Sequence, residues 1–311
     1  MKAIVIEQYG KAEQLVEKEL SKPDIEDNQV LIDMRATSIN PIDWKIRAGY
    51  MKDGMDFDFP LILGWDAAGV VSEIGKNVTD FKVGDEVFAR PAMANGTYAE
   101  YVAVDEELVA LKPKSISFEE AAAVPLAGLT AWQCLVDFGE IKQGDKVLIQ
   151  AGSGGVGSYG IQIAKSFGAY VISTASGKNE AFLKELGVDE FINYETTNFI
   201  DVVKDVDLVV DTMGGEILKE SMEVVKEGGR VVSIAGQPDA EKAKAKNVTA
   251  DSLWLNPNGK QLAELGELME DGKVKSHIGH TYSLTEKGLQ EAHELSETHH
   301  AKGKIVIKIN D

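Results

Sequence analysis

The stretch Val147-Leu148-Ile149-Gln150-Ala151-Gly152-Ser153-Gly154-Gly155-Val156-Gly157 is an apolar strand that runs into a glycine loop. Residues 155–167 follow with apolar or small side chains at helical spacing, and Tyr170-Val171-Ile172-Ser173 begins a second strand. Glycines in such a loop let the backbone approach a pyrophosphate, and the first helical turn offers unpaired N–H groups to an anion. The stretch therefore predicts a βαβ unit that binds a dinucleotide. A nucleoside triphosphate loop is disfavoured, because no Gly-Lys-Ser or Gly-Lys-Thr follows.

The residues after the second strand indicate which dinucleotide binds. In NAD-binding units an acidic residue about 20 positions beyond the glycines accepts the ribose hydroxyls. The corresponding positions here hold Ser173, Thr174, Ala175, Ser176, Gly177 and Lys178. None of these is a carboxylate that would repel a 2′-phosphate, whereas hydroxyls and an ammonium can bind one. The stretch favours NADP over NAD; the alternative is that Lys178 is a solvated lysine at a helix start.

Composition and charge exclude several functional classes. The chain has 311 residues, of which 44% are hydrophobic and 27% charged, as expected for a soluble globular protein with room for two domains. A formal charge of −19 argues against nucleic-acid or anionic-membrane partners, which require a basic face. The single cysteine, Cys134, precludes an internal disulfide. Residues 1–6 enter a strand-like pattern without a signal-type apolar core, so we expect a cytoplasmic protein.

The first part of the chain, residues 2 to about 117, predicts a β-rich domain in which glycines and aspartates punctuate short strands. The expected strands are Lys2–Glu7, Leu15–Leu20, Val30–Ile39, Gly69–Ile74, Glu86–Ala89, Tyr98–Val104 and Leu108–Leu111. One helix is expected after Asn40, which can cap it, because Pro41 suits a first helical position.

From Ser117 the pattern changes to alternating strands and helices, which predicts a parallel sheet covered on both faces. Ser117 and Glu120 have capping-box spacing, and a second helical run covers 128 to about 137. The expected strands are 146–150, 170–174, 190–193, 207–211 and 230–235, and the expected helices are 155–167, 178–186 and 215–226. A strand near 248–254 and a helix near 258–271 should finish the sheet. The tail, with a helix near 284–297 and a strand at Lys304–Ile309, is expected to return to the first domain.

Several motifs in this order carry a resemblance that spans essentially the whole chain. They are Asn40-Pro41-Ile42-Asp43-Trp44-Lys45, Gly64-Trp65-Asp66-Ala67-Ala68-Gly69-Val70-Val71, Leu126-Ala127-Gly128-Leu129-Thr130-Ala131-Trp132, the glycine loop, Ile192-Asn193-Tyr194, and Gly303-Lys304-Ile305-Val306. With them the chain resembles the medium-chain dehydrogenase/reductase superfamily, in its zinc-free quinone oxidoreductase branch, which includes zeta-crystallin. The resemblance implies an α/β protein with a GroES-like, β-rich catalytic domain (1–120 and 274–311) and a Rossmann domain with a doubly wound parallel sheet (121–273).

The resemblance also implies NADPH in the cleft between the domains and a homodimer through the Rossmann domains. It assigns cofactor contacts to Thr130 near the nicotinamide, to Ser153, Gly154, Gly155, Val156 and Gly157 under the pyrophosphate, to Thr174, Ser176, Lys178 and Tyr194 around the adenosine phosphate, and to Ala235 and Gly236 beside the nicotinamide half. From the sequence alone, Tyr194 fits equally well as a tyrosine that ends the third strand.

No metal site is expected. Where zinc-binding relatives have the histidine of a Gly-His-Glu motif, this chain has Gly64-Trp65-Asp66, and no histidine or cysteine precedes Cys134. The five histidines lie in the tail, where we interpret them as a solvated helix end: His277, His280, His293, His299 and His300. Trp65 fits either a pocket wall or the core.

Without a Lewis acid, the substrate must disperse its own negative charge, as quinones and α,β-unsaturated carbonyls do. The hypothesis is hydride transfer from NADPH to such an acceptor, with hydrogen-bond donors at the forming oxygen anion. Candidate donors are Asn40, Lys45 and Tyr50, and water is a further proton source. The alternatives are that Asn40 only caps its helix, that Lys45 is merely exposed and that Tyr50 is merely packed. Some quinone reductases carry tyrosine at the position of Lys45.

Two other functions fit the same motifs. An enoyl-thioester reductase of the same superfamily would need a basic track for its carrier phosphates, which this acidic chain does not show. A non-catalytic NADPH-binding protein would have the same glycine loop, because binding and chemistry are separable.

Overall fold

Two sets of secondary-structure elements organise this computed structural model, which describes residues 1–310. Unit 1 contains Met1–Leu129, Pro257–Gly272 and the residues from Ser276 onward, and unit 2 contains Thr130–Asn256 and Lys273–Lys275. No helix within residues 1–310 has both the length and the apolar character needed to cross a membrane.

Residues 1–310 form sixteen strands and ten α-helices. The strands are β1 Lys2–Ile6, β2 Val16–Glu19, β3 Gln29–Ile39, β4 Leu61–Ile62, β5 Ala67–Ile74, β6 Glu86–Ala89, β7 Tyr101–Asp105, β8 Val109–Leu111, β9 Lys146–Ile149, β10 Tyr170–Ala175, β11 Glu190–Asn193, β12 Val206–Asp211, β13 Val225–Ser233, β14 Thr249–Ser252, β15 Ile278–Ser283 and β16 Lys304–Lys308. The helices are α1 Pro41–Arg47, α2 Phe118–Ala122, α3 Pro125–Trp132, α4 Gly155–Ser166, α5 Glu180–Glu185, α6 Phe199–Val202, α7 Gly215–Val224, α8 Ala240–Ala245, α9 Gly259–Glu270 and α10 Glu286–Glu297.

Unit 2 is built on a parallel sheet with the order β11-β10-β9-β12-β13-β14. In chain order this is 3-2-1-4-5-6, the doubly wound Rossmann arrangement, in which the direction of strand addition reverses between β9 and β12. β9 pairs with β10 on one side and with β12 on the other, and its Leu148 is fully buried. The expected Rossmann domain is confirmed, and β14 extends the sheet as predicted.

Unit 1 has a three-stranded sheet, β2-β1-β4, and a seven-stranded sheet, β15-β16-β3-β5-β6-β8, in which β7 pairs with β3. The expected return of the tail is confirmed, because β16 pairs antiparallel with β3 in a register that sets Ile305 opposite Ile39. Both residues lie in an apolar core that also contains Trp65. The predicted GroES-like, β-rich domain is therefore present, with α1 following β3.

The helix expected to finish the parallel sheet lies elsewhere. Helix α9 belongs to unit 1 and packs against β8: a Cβ at Gly259 would lie only 2.6 Å from the carbonyl oxygen of Val109. Its apolar residues Leu262 and Leu265 are fully buried. An amphipathic pattern predicts which face of a helix is buried but not which sheet covers that face, so the sequence misassigned α9.

Three smaller differences concern short elements. The two-residue strand β4 and the helices α6 and α8 were not expected, because elements of this length contain too few residues to establish a period. The helical run expected at 128 to about 137 begins earlier, at Pro125, and continues beyond α3 as π-helical Gln133–Phe138.

The placement of α9 leads to a stability prediction. Leu265→Ala removes a fully buried side chain, so we expect the free energy of unfolding to fall by about 2–5 kcal/mol. Glu264→Ala, at the adjacent exposed position, should change it by less than about 0.5 kcal/mol. Urea unfolding followed by tryptophan fluorescence measures both. Equal effects of the two substitutions would contradict the packing of α9 against β8.

Candidate functional site

The glycine loop lies at the carboxyl end of β9, directly before α4. A Cβ at Gly152 would lie 2.2 Å from Ser173 Oγ, and one at Gly157 would lie 2.4 Å from the carbonyl oxygen of Ala151. At Gly154, by contrast, the nearest atom would be 3.4 Å away. Gly152 and Gly157 thus allow the loop to pack on its own strand and helix, while a Cβ at Gly154, which precedes the first turn of α4, would make only an ordinary van der Waals contact. This geometry suits a pyrophosphate at the first turn of a twelve-residue helix.

The end of β10 supports this loop from beneath. The Thr174 hydroxyl donates to Gln150 Oε1 at 2.7 Å and accepts from the Ala151 N–H at 3.1 Å, and the Gly152 N–H donates to the Thr174 carbonyl oxygen at 2.9 Å. Thr174 is buried. Its hydroxyl therefore holds the glycine loop in place, a role that spacing did not predict.

A second contact joins the glycine loop to the segment after β10. Asn179 Nδ2 donates to Ser153 Oγ at 3.2 Å and to Ser176 Oγ at 3.1 Å. Asn179 was not predicted as a loop residue, although an asparagine beside a glycine turn often forms hydrogen bonds within a loop. Lys178 is exposed. Asn179 thus joins Ser153 to Ser176, and Lys178 lies on the same segment as Ser176.

A carboxylate also lies on this segment. The Gly177 N–H donates to Glu195 Oε2 at 2.9 Å, from the turn that follows β11. Residues 173–178 contain no carboxylate, but Glu195 reaches this segment because it is close in space rather than in sequence. Next to it, Tyr194 has 58% of its surface exposed and donates its N–H to the Ala175 carbonyl oxygen at 3.2 Å.

The remaining predicted cofactor residues lie at other positions of unit 2. Asp211, at the end of β12, accepts from the Gly214 N–H at 2.9 Å and from Ser233 Oγ at 2.6 Å. Ala235 donates its N–H to the same Ser233 hydroxyl at 3.1 Å, and Gly236 follows it. The sequence analysis did not single out Asp211, which ties the ends of β12 and β13 together. Thr130 is buried in α3.

In unit 1, Asn40 is held in one orientation by buried charges. Its Nδ2 donates to Asp66 Oδ2 at 2.6 Å, and its Oδ1 accepts from Lys304 Nζ at 2.5 Å. Because Lys304 can only donate and the Asp66 carboxylate only accepts, the amide cannot flip. Asn40 is also the N-cap of α1, where it forms a capping box with Asp43, whose Oδ2 accepts the Asn40 N–H at 2.8 Å. The capping role expected for Asn40 therefore coexists with its bonds to Asp66 and Lys304.

Lys45 and Tyr50 lie against Trp44. The Lys45 ammonium is 5.8 Å from the Trp44 ring centroid, and the Tyr50 ring meets Trp44 edge-on at 6.0 Å between centroids. Tyr50 is 74% exposed. Neither side chain shares a hydrogen bond with Asn40 among residues 1–310.

The interpretation of His293 as part of a solvated helix end is wrong. His293 is fully buried on α10. Its Nε2 is 3.0 Å from the Tyr98 hydroxyl and its Nδ1 is 3.3 Å from Arg47 Nη1, and Tyr98 donates to Asp43 Oδ2 at 2.7 Å. His293 lies one helical turn after Leu289, on the buried face, and that period was the signal that could have revealed it.

Burial shapes the protonation of this chain of residues. Burial, with Arg47 beside it, lowers the pKa of His293 to about 3, so the imidazole is neutral. Arg47 then donates to Nδ1, Nε2–H donates to Tyr98, and Tyr98 donates to Asp43. Burial also raises the pKa of Asp43 to about 7, against the hydrogen bonds from Asn40 and Tyr98, which lower it. The chain ties α1 to α10.

Trp65 is a core residue. It is fully buried, and its indole N–H donates to the Met93 carbonyl oxygen at 3.1 Å. Of the two interpretations of Trp65, the structure supports core packing. Within residues 1–310, no three histidine, cysteine, aspartate or glutamate side chains are grouped closely enough to hold a metal ion.

Comparison with known proteins gives matches over both units. Residues 26–114 match the alcohol dehydrogenase GroES-like domain family and residues 186–307 the zinc-binding dehydrogenase family. The chain is 40% identical to 2-methylene-furan-3-one reductase of Solanum lycopersicum and 38% identical to NADPH-dependent alkenal/one oxidoreductase of Arabidopsis thaliana, in each case over 99% of this chain and 79% of the relative. The quinone oxidoreductase structure from Coxiella burnetii is 39% identical, with a TM-score of 0.89 over 100% of this chain and 99% of that one.

These similarities extend over nearly the whole chain and include both units. The chain belongs to the zinc-free quinone oxidoreductase branch of the medium-chain dehydrogenase/reductase superfamily.

Proposed function

We propose that this protein is an NADPH-dependent oxidoreductase that reduces quinones or α,β-unsaturated carbonyl compounds by hydride transfer, without a metal ion. The names of its relatives support this activity: one is an NADPH-dependent alkenal/one oxidoreductase and one a quinone oxidoreductase. We propose an acceptor class, a cofactor and the residues that bind each of them.

Trp65 is the observation that supports a reaction without a metal ion. Trp65 stands where zinc-binding relatives have a histidine ligand, and its indole nitrogen carries a hydrogen that it donates to Met93. An indole N–H is a donor only and offers no lone pair to a metal. Without a Lewis acid, an acceptor that delocalises its own negative charge is the easier one to reduce near neutral pH. Quinones and enones delocalise that charge, whereas simple aldehydes do not and would depend on a strong proton donor.

The glycine loop fits the cofactor. The uncrowded position of Gly154, where an added Cβ would meet one atom at 3.4 Å, and the first turn of α4 are suited to bind the pyrophosphate. When bound, NADPH supplies the hydride. The residues proposed around its adenosine phosphate are Thr174, Ser176, Lys178 and Tyr194; the Thr174 hydroxyl acts through the loop that it supports.

Asn40 is the proposed hydrogen-bond donor to the acceptor oxygen that becomes negative. One N–H of its amide is bound to Asp66, and the second has no acceptor among residues 1–310. Lys304 withdraws electrons from the amide oxygen, which makes that second N–H a better donor. Lys45 and Tyr50 remain the alternative proton donors of this segment, beside water.

We further propose a homodimer through unit 2. Strand β14 is an edge of the parallel sheet, and Trp254, just after it, is 58% exposed, which suits an interface. The cytoplasmic location expected from the sequence also stays a proposal, since the Arabidopsis relative is named as chloroplastic.

The acceptor class is tested by measuring NADPH oxidation with four compounds side by side: a naphthoquinone, an alkenal, an enoyl-CoA and ethanal. We expect turnover with the quinone or the alkenal, undiminished by prior dialysis against a zinc chelator, and little turnover with ethanal. Enoyl-CoA as the best substrate would favour the thioester reductase. NADPH binding with no turnover of any compound would contradict the enzymatic function.

The glycine loop provides a matched pair of substitutions. In Gly157→Ala the new methyl group would lie 2.4 Å from the Ala151 carbonyl oxygen, so we expect both lower stability and weaker NADPH binding. In Gly154→Ala the nearest atom is 3.4 Å away, so the unfolding midpoint should stay near the wild-type value while NADPH binding weakens. Calorimetric titration and urea unfolding measure the two effects. Normal NADPH affinity in Gly154→Ala would show that the loop at Gly154 does not bind the pyrophosphate.

Lys178 tests the preference for NADPH. Lys178→Ala should raise the KM for NADPH about tenfold, because an ammonium partner of the 2′-phosphate is lost, and leave the KM for NADH nearly unchanged. Lys204→Ala is the control. Lys204 is an exposed lysine before the amino end of β12, whereas Lys178 follows the carboxyl end of β10. An unchanged ratio of the two KM values would exclude Lys178 from cofactor selection.

A further inference from the structure

The carboxylate of Glu195 accepts a hydrogen bond from a backbone N–H on the segment after β10. Glu195 Oε2 accepts from the Gly177 N–H at 2.9 Å, directly before Lys178. The contact is solvent-exposed. Backbone N–H groups beside a lysine form a common setting for a phosphate, and here a carboxylate takes the N–H.

The position of Glu195 is set by the turn after β11. Its own N–H donates to Asn193 Oδ1 at 3.0 Å, and the Asn193 carbonyl oxygen accepts from the N–H groups of Thr196 and Thr197 at 3.1 and 2.9 Å. The Asn193 amide in turn packs on Gly177, where an added Cβ would lie 2.8 Å from Asn193 Nδ2. The carboxylate is therefore placed by a bonded turn that packs closely on Gly177.

The two dinucleotides respond differently to such a carboxylate. A 2′-phosphate at this segment would compete with Glu195 for the Gly177 N–H and would be repelled by its charge. The 2′-hydroxyl of NADH carries no charge and can donate to a carboxylate. Lys178 and Glu195 therefore act in opposite directions on the choice between NADPH and NADH.

We propose that Glu195 is a specificity-determining residue that weakens the binding of NADPH relative to NADH by holding the negative charge of its carboxylate at the Gly177 N–H. This inference rests on the proposed function, which assigns the 2′-phosphate to this segment. It goes beyond that function because the preference for NADPH then depends on both Lys178 and Glu195, and not only on the residues that directly follow β10.

The expected change in NADPH affinity is small because the contact between Glu195 and Gly177 is exposed to solvent. A single charge at an exposed position changes an interaction with another exposed charge by about two- to fivefold in an equilibrium constant. Salt screens such interactions, so the effect should shrink as ionic strength rises.

The test uses Glu195→Gln, which keeps an oxygen to accept the Gly177 N–H but removes the charge. The matched control is Glu227→Gln, which removes the same charge near the amino end of β13, where Glu227 Oε1 contacts Asn247 Nδ2 at 3.4 Å. Calorimetric titration gives the Kd of NADPH and of NADH for the wild type and both variants at low and at high salt.

We expect Glu195→Gln to lower the Kd of NADPH by about two- to fivefold at low salt, with a smaller gain at high salt and an unchanged Kd of NADH. Glu227→Gln should change neither. A Kd of NADPH that does not fall, or a parallel fall for both dinucleotides, would overturn the inference while leaving the proposed function intact. Normal NADPH binding without reduction of any quinone or enone would overturn the proposed function alone, and a wild type that binds neither dinucleotide would overturn both.

Discussion

The buried ion pair between Lys304 and Asp66 is the interaction on which unit 1 depends. Their side chains are 3% and 0% exposed, and Nζ lies 3.5 Å from Oδ2. Burying two charges costs several kcal/mol each unless every polar atom finds a partner. Here Lys304 also donates to the Ile39 carbonyl oxygen and to Asn40, and Asp66 also accepts from Asn40, the Ser38 hydroxyl and the Leu126 N–H. The pair thereby ties the closing strand β16 to the end of β3 and to the start of α3.

This arrangement explains why the chain returns to its first sheet. Pairing β16 with β3 brings Lys304 to the buried Asp66 carboxylate, which also interacts electrostatically with the buried Arg90. The hydrogen bonds from His293 to Tyr98 and from Tyr98 to Asp43 also stabilise this region, since they join α1 to α10. Two buried networks, joined where the Asn40 N–H donates to Asp43, thus converge on the segment that begins at Asn40, and they fix its backbone and its amide orientation.

Local patterns in the sequence predicted what depends on neighbours along the chain. Gly152 to Gly157, the alternation of strands and helices, and the capping spacing of Ser117 and Glu120 each act over a few residues, and each is found as expected. The buried face of α9 was readable, but its partner sheet was not. Glu195 escaped notice for the same reason: its contact with Gly177 spans 18 positions and arises only when β10 and β11 pair.

The orientation of Asn40 sets what this segment can do chemically. An ammonium has three N–H groups, and all three of Lys304 are used by Ile39, Asn40 and Asp66. Lys304 therefore has no N–H left for a substrate oxygen, and its charge acts only through the amide that it polarises. An amide N–H stabilises a developing oxygen anion by a hydrogen bond, far less than a bound metal ion stabilises an alkoxide. Asn40, as the proposed donor, is matched to acceptors whose negative charge is already spread over a conjugated system, and this match links the buried ion pair to the proposed choice of substrate.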